Sequence, residues 1–232
     1  MHGGSAATLN EAQVLETLRE EFFPAGVLSA AAARALIAQY APHGRVATRS
    51  GIETLTRVIE MANDTPALLP AFLVGQLCAA VIAGEGPALG RRPHFSRVLD
   101  AEDIALLRRV LEAGTGASGM PVSRAEAEAL FDLHDATAGG ANDPGFDELF
   151  YRAVVSHLLA ASGHETPPRR AALASETPLP RAPLDPEQAA WLAERIMRDG
   201  RATTAELMLL ALIGEECDVP DRSVRKFIDF AA

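Results

Sequence analysis

The amino-acid sequence predicts an all-α fold, either an irregular helical bundle or a short array of three related three-helix units, with about eight to ten helices. Three observations indicate this class. Apolar residues recur with the period of an α-helix along most of the 232 residues. Alanine, the residue with the highest helix propensity, is abundant. We find no convincing alternation of apolar and polar residues of the kind that marks a half-buried strand.

The first helix is predicted to begin after Asn10. This residue is a favoured N-cap, and Gln13 three positions later completes a capping box. Pro24 and Gly26 are expected to end the helix, because proline cannot continue it and glycine readily leaves the helical conformation.

After this helix the chain repeats one order of signals three times. Each round has a capped helix, a turn containing glycine, a second helix with a Ser or Thr cap, and an Asp and a Pro before a third helix. The rounds begin at Ser29, Asp100 and Asp185. The predicted second helices are 50–62, 124–136 and 205–216, and the third helices are 67–83, 145–161 and 221–230.

The segment Ser162–Pro183 contains five prolines and is predicted to be an exposed, semi-extended linker. The domain hypothesis is therefore a main helical domain at 1–161, with candidate units at 29–83 and 100–161, and a small C-terminal helical unit at 184–232. The last unit is too short to be robust alone, so we expect it to dock on the main domain.

Charge and composition exclude several classes of function. The net charge of −10 argues against nucleic acid as the main partner, because phosphate binding requires a basic surface. The uncharged stretch Thr65–Gly84 is near the length of a membrane span, but Pro66 and Pro70 interrupt it and predict a buried core helix. The N-terminus lacks the features of a secretory signal. We therefore expect a cytoplasmic protein with no membrane partner.

The densest polar cluster surrounds the glycine-rich loop after the second helix of round two. Carboxylates and a histidine near a flexible loop are ligands for a divalent cation. The alternative is an exposed turn in which Asp and Asn cap the next helix. An EF-hand loop is excluded, since Phe146 stands where that loop requires a bidentate carboxylate. The candidate ligands are Asp132, His134, Asp135, Asp143 and Asp147.

No catalytic residues are recognisable. Ser156 and His157 are adjacent on a predicted helix, so their side chains diverge and cannot form a nucleophile–base pair. Cys78 lies in the most apolar helix and is expected to be inert, whereas the acidic neighbours of Cys217 disfavour a thiolate. No cofactor is predicted beyond the candidate cation.

Two basic patches are candidate contact surfaces for a phosphate or an acidic segment of a partner. Solvated loops that balance local charge are the alternative interpretation. The first patch consists of Arg91, Arg92, His94, Phe95 and Arg97, and the second of Arg169, Arg170 and Arg181.

Two turns carry a family resemblance. Arg198–Glu206 (RDGRATTAE) and Gly119–Leu130 (GMPVSRAEAEAL) resemble the turns of TerB-like helical domains, of the tellurite-resistance type. The resemblance implies a small acidic helical bundle associated with metal ions and stress responses, with Asp199 as the carried-over carboxylate. The corresponding positions of the other two rounds are His43 and Ser118.

Stacked helical units present extended surfaces that typically recognise proteins or peptides. The sequence therefore favours a non-enzymatic interaction module, such as an adaptor, regulator or assembly factor, with a protein partner or a homo-oligomer. The helix at 67–83 is a candidate contact feature if part of it is exposed. The alternatives are a metal-binding or metal-responsive domain and an enzyme whose site combines distant residues in a deep pocket.

Overall fold

The computed structural model describes residues 10–84, 97–113, 119–180, 182–198 and 203–216, with side chains described as far as residue 210 in the last range. Within these ranges the chain forms ten α-helices and no strand, which confirms the predicted all-α class. The helices are α1 (Glu11–Phe22), α2 (Ala30–Tyr40), α3 (Arg49–Met61), α4 (Leu68–Ile82), α5 (Ala101–Ala113), α6 (Arg124–Thr137), α7 (Gly145–Ala161), α8 (Arg169–Ala172), α9 (Pro186–Met197) and α10 (Thr204–Glu216).

Helix boundaries follow the capping signals closely. Asn10 and Gln13 form the predicted reciprocal capping box, with both hydrogen bonds at 2.9 Å. The predicted second helices at 50–62, 124–136 and 205–216 differ from α3, α6 and α10 by one residue at most. The predicted third helix at 221–230 lies outside the described residues.

The first two rounds join their loops in a similar way. The backbone N–H of Leu28 donates to the carbonyl of Asp64 at 3.0 Å, and the N–H of Asp143 donates to the carbonyl of Leu99 at 2.9 Å. Leu28 and Leu99 each directly precede the cap residue of their round, and both are buried. Leu184 has the same place in the third round and is also buried. A buried leucine before the first cap is therefore common to the three rounds.

Helix α4 lies at the centre of the packing. It contacts α2, α3, α5 and α6, and the contact with α6 is the most extensive. Its buried face contributes Leu69, Leu73, Leu77 and Val81 to the core. Pro70 is accommodated in the first turn, where its missing N–H removes no helical hydrogen bond. Among the described helices, none is both long and apolar enough to cross a membrane.

The proline-rich segment is packed against the protein, contrary to the prediction of an exposed linker. We call residues 162–180 the strap. Arg169, Ala172 and Leu173 of the strap are at most 1% exposed. Outside helices, backbone carbonyls need other hydrogen-bond partners. Arg108 of α5 donates to the carbonyl of Leu173, and Arg152 of α7 donates to carbonyls on both sides of it, so these arginines hold the strap in place.

Candidate functional site

The C-terminal helix α9 docks on α6 through an aromatic residue and an arginine. The indole Nε1 of Trp191 donates to a carboxylate oxygen of Glu128 at 2.6 Å. The guanidinium of Arg124 lies 4.1 Å from the centre of the Trp191 ring, a cation–π distance. Arg195 is 5% exposed and pairs with Asp132 at 2.9 Å and with Asp135 at 3.4 Å. The end of α6 is therefore crowded with ionic groups that face the C-terminal helices.

His134 lies inside this junction. This residue is only 5% exposed. The imidazole stacks on the ring of Phe150 of α7, with the ring centres 4.3 Å apart and the planes inclined by 8°. Its Nε2 atom lies 3.4 Å from the hydroxyl of Thr203, directly before α10. The ring orientation is thus set by contacts from two other elements.

Glu206 reaches the same place from the first turn of α10. Its carboxylate accepts a hydrogen bond from the Thr203 N–H at 2.8 Å, while the Glu206 N–H donates to the Thr203 hydroxyl at 3.2 Å. This capping box holds the carboxylate in the protein, where Glu206 is 2% exposed. One ligand atom each from His134, Asp135 and Glu206 lies within 4.8 Å of the others.

The sequence pattern indicates His134 and Asp135 as candidate ligands but does not indicate Glu206. The available signal was the capping-box pattern of Thr203 and Glu206, which matches that of Ser123 and Glu126. A capping box predicts where a helix begins, but it does not reveal that its carboxylate will be buried next to a histidine of another unit.

The other three predicted ligands have different surroundings. Asp132 pairs with Arg195 and also with Arg198 at 3.1 Å. Asp143 accepts a hydrogen bond from the Gly145 N–H at 2.9 Å, which is the helix-capping role considered as the alternative. Asp147 is exposed in the first turn of α7. None of the three belongs to the His134 group found within the described residues.

The first basic patch falls mostly outside the described residues: Arg91, Arg92, His94 and Phe95 are not described, and Arg97 is exposed. In the second patch Arg169 is buried and paired with Glu126, so it does not serve as an exposed anion-binding group. Arg181 and Asp199, the residue carried over from the TerB-like resemblance, also lie outside the described residues.

The two remaining candidate side chains, His157 and Cys78, are both buried. His157 is buried, and its Nδ1 donates to the carbonyl of Val122 at 3.0 Å. Burial lowers the pKa of His157, so the neutral ring is favoured. Cys78 is 2% exposed, and burial strongly raises the pKa of its thiol. Both groups are therefore held in their uncharged forms near neutral pH.

A half-open cleft of about 460 Å³ lies between α3, α5 and α8. Arg109 and Glu60 form a bidentate ion pair at its edge, with distances of 2.8 and 2.9 Å. Neither His134 nor His157 lines this cleft, so it is not the histidine-containing pocket expected for an enzyme.

One side of α4 is partly exposed. Leu68, Ala71, Gly75 and Ile82 are partly exposed and Ala79 is exposed; we call these five residues the α4 face. The 15 residues of α4 include no charged side chain. A Cβ atom built on Gly75 meets no atom of the described residues within 4 Å, so the space above the centre of this face is open in the described part of the chain.

Comparison with known protein families, curated proteins and solved structures finds no match. In its described residues the protein is all-α, with an uncharged, partly exposed helix face and a cluster of one histidine and two carboxylates in which His134 and Glu206 are buried.

Proposed function

We propose that this protein is a non-enzymatic helical interaction module, of the adaptor, regulator or assembly-factor kind, that self-associates through the α4 face. The observation that carries the proposal is the uncharged, partly exposed side of α4 with open space above Gly75. Most of the helix is committed to the core, so this side is the part available for contact.

The order of residues on the α4 face favours a second copy as the occupant. The five residues of the α4 face are, in order, large, small, glycine, small and large. They are spaced three, four, four and three positions apart: Leu68, Ala71, Gly75, Ala79 and Ile82. This order reads the same in both directions from Gly75. In a twofold-symmetric contact the same surface meets itself, so an antiparallel pair of α4 helices places Leu68 of one copy near Ile82 of the other.

The small residues at the centre support a close helix pair. Ala71, Gly75 and Ala79 are four positions apart, so they lie on one side of the helix. Without bulky side chains, two helix backbones can approach closely and gain van der Waals contact along their length. The larger Leu68 and Ile82 then cover the two ends of the contact.

The charge distribution also favours self-association through the α4 face. Each chain has a net charge of −10, so two copies repel each other over most relative orientations. The α4 face contributes no charge to that repulsion. Self-association should therefore become stronger at higher ionic strength, whereas a contact held by ion pairs would weaken.

Sedimentation equilibrium of the full chain, from low micromolar to several hundred micromolar, tests the proposal. We expect the mass of two chains at the upper end of this range. Ala79→Arg places a charge on the α4 face and should leave a monomer. Ala35→Arg is the matched control, because Ala35 is also an exposed alanine in a helix but lies on α2. A wild-type monomer over the whole range, or equal dimerisation of both variants, would overturn the proposal.

Oxidative cross-linking distinguishes the antiparallel α4 pair from any other dimer. Gly75 lies on the proposed twofold axis, so Gly75→Cys in a Cys217→Ser chain should form a covalent dimer through like residues. The same chain with Ala35→Cys in place of Gly75→Cys should form it much more slowly. Equal rates for the two cysteines would contradict the α4 contact.

A further inference from the structure

His157 of α7 lies where α7 meets both the turn before α6 and the C-terminal helix α9. The residue is 6% exposed, and its Nδ1 donates to the carbonyl of Val122 at 3.0 Å. The ring meets Trp191 of α9 at a steep angle, with the ring centres 5.4 Å apart and the planes inclined by 84°. Its Nε2 atom is buried and has no hydrogen-bond partner among the described residues. The neutral tautomer with the proton on Nδ1 fits these contacts.

Trp191 is central to the attachment of α9 to α6. Its indole N–H donates to Glu128, and the guanidinium of Arg124 lies over its ring. The backbones of the two helices approach closely at few points, so these side chains and the ion pairs of Arg195 hold α9 in place. The contact between His157 and the indole therefore lies at the point where α9 is attached.

We propose that His157 is a pH-sensitive switch that weakens the docking of α9 when its imidazole takes up a proton. The protonated ring carries a charge and a second N–H, at Nε2. In the docked state that N–H would be buried without a partner in the described part of the chain. Movement of α9 away from α7 admits water to the ring, so proton uptake and release of α9 are linked.

The surroundings of His157 disfavour the charged ring as long as α9 is docked. Burial has the largest effect on the pKa of this residue and lowers it. The hydrogen bond to the Val122 carbonyl raises the pKa, the charge of Arg124 lowers it, and Glu126 and Glu128 raise it. The net direction is downward, so the docked state binds the proton less readily than an exposed histidine does.

The two carboxylates near the imidazole already have other partners. Glu126 binds the guanidinium of Arg169 with both oxygens. Glu128 accepts from Arg124 and from the indole of Trp191. The α9 group that faces the imidazole is this uncharged indole. A proton on the imidazole therefore gains no new ion pair in the docked arrangement.

The pH range of the switch follows from the ordinary pKa of histidine, near 6.5. Well above this pH neither state binds the proton, so docking has its full strength. Below it the released state binds the proton first, and release becomes more favourable until the lowered pKa of the docked state is reached. From pH 7.5 to 5.5 the equilibrium constant for release should rise several-fold, and at most about 10-fold. Carboxylates titrate mainly near pH 4 and contribute little in this interval.

Hydrogen exchange of the full chain, measured by mass spectrometry at pH 7.5 and 5.5, tests the switch. The rates are corrected for the intrinsic pH dependence of amide exchange, and low micromolar protein avoids self-association through the α4 face. Peptides from α9 report its release, and peptides from α3 report opening of the body. We expect the several-fold rise in α9 and less than about a twofold rise in α3. No rise in α9, or an equal rise in both helices, would overturn the proposal.

Variants connect the effect to His157. His157→Gln keeps a donor for the Val122 carbonyl but has no group that titrates in this range, so the rise in α9 should disappear. His43→Gln is the matched control, because His43 is exposed in the turn before α3, and the rise should remain. A rise that persists in His157→Gln, or that is lost in both variants, would contradict the switch. If His157→Gln does not fold, the comparison of α9 with α3 in the wild type still decides.

Discussion

The guanidinium of Arg169 binds both carboxylate oxygens of Glu126 inside the protein, with Nη1 2.8 Å from Oε1 and Nη2 3.0 Å from Oε2. The side chains are 1% and 0% exposed. The guanidinium also donates to the backbone carbonyls of Leu111, Met120 and Pro121. A single residue of the strap thus joins α5, the turn before α6 and the first turn of α6.

Arg169→Met is expected to destabilise the protein by about 3–5 kcal/mol. Removing one partner of a buried ion pair leaves the other charge without compensation, and here it also removes the donors to three carbonyls. Urea denaturation followed by circular dichroism measures the free energy of unfolding.

Arg170→Met provides the control for this measurement. Arg170 is the next residue in the chain, but its side chain is 83% exposed and its ion pair with Glu112 is long, at 3.7 Å. We expect a change within about 0.5 kcal/mol, as for most surface substitutions. Similar losses for both variants would show that the buried pair has no special role.

Two glycines in neighbouring helices should respond oppositely to alanine. Gly75→Ala meets open space in α4 and should raise the stability of the monomer by about 0.5–1 kcal/mol, the helix preference of alanine over glycine. Gly51→Ala in α3 places a Cβ 2.8 Å from a methyl group of Val46 and should be destabilising by about 1–3 kcal/mol. Denaturation at low protein concentration tests both, and a stability loss for Gly75→Ala would contradict the open space above it.

Stability should fall in weak acid because of His157. Burial lowers the pKa of this residue from its ordinary value near 6.5 in the folded protein. As the pH falls through about 6.5, the unfolded chain takes up the proton first, so the unfolded state gains stability. The full contribution of His157 is therefore present above that pH and decreases below it, down to the folded pKa.

Unfolding free energies at pH 7.5 and 5.5 check this expectation. His157→Gln can still donate to the Val122 carbonyl but has no group that titrates in this range. The variant should show a smaller loss between the two pH values than wild type. The same loss in both proteins would mean that His157 does not control this part of the pH profile.

The thiol of Cys78 should not react in the folded protein. It is 2% exposed, and burial strongly raises its pKa, so the reactive thiolate is scarce. In a Cys217→Ser chain, Cys78 is the sole cysteine. A thiol reagent should then label Cys78 only at the rate at which the folded protein opens around this residue. Fast labelling under native conditions would show that α4 is accessible at Cys78.

Local signals predicted the helices well for a definite reason. A cap such as Asn10 and its partner Gln13 are three residues apart, so their contact needs no distant residue. The same holds for the breaks before α4 and α7, where an Asp and a Pro end one helix and begin the next. The boundaries of the second helices were accordingly predicted to within one residue.

Local composition was misleading for the strap. Proline and polar residues predict an exposed linker because such segments rarely form a core. Arg169 nevertheless became buried, because Glu126 and three carbonyls of the body provide partners for its donors. No pattern within 162–183 contains that information, since the partners lie more than 40 residues away.

The sequence by itself determined the all-α class, the caps and the helix boundaries, since these depend on hydrogen bonds and steric limits within one or two turns. It also identified His134 and Asp135 as candidate ligands through their residue types. Only the tertiary structure decided that Glu206 joins them, that Asp132 pairs with Arg195, and that one side of α4 remains partly exposed. Burial and charge pairing are settled by contacts between distant segments, and their energies depend on the final packing.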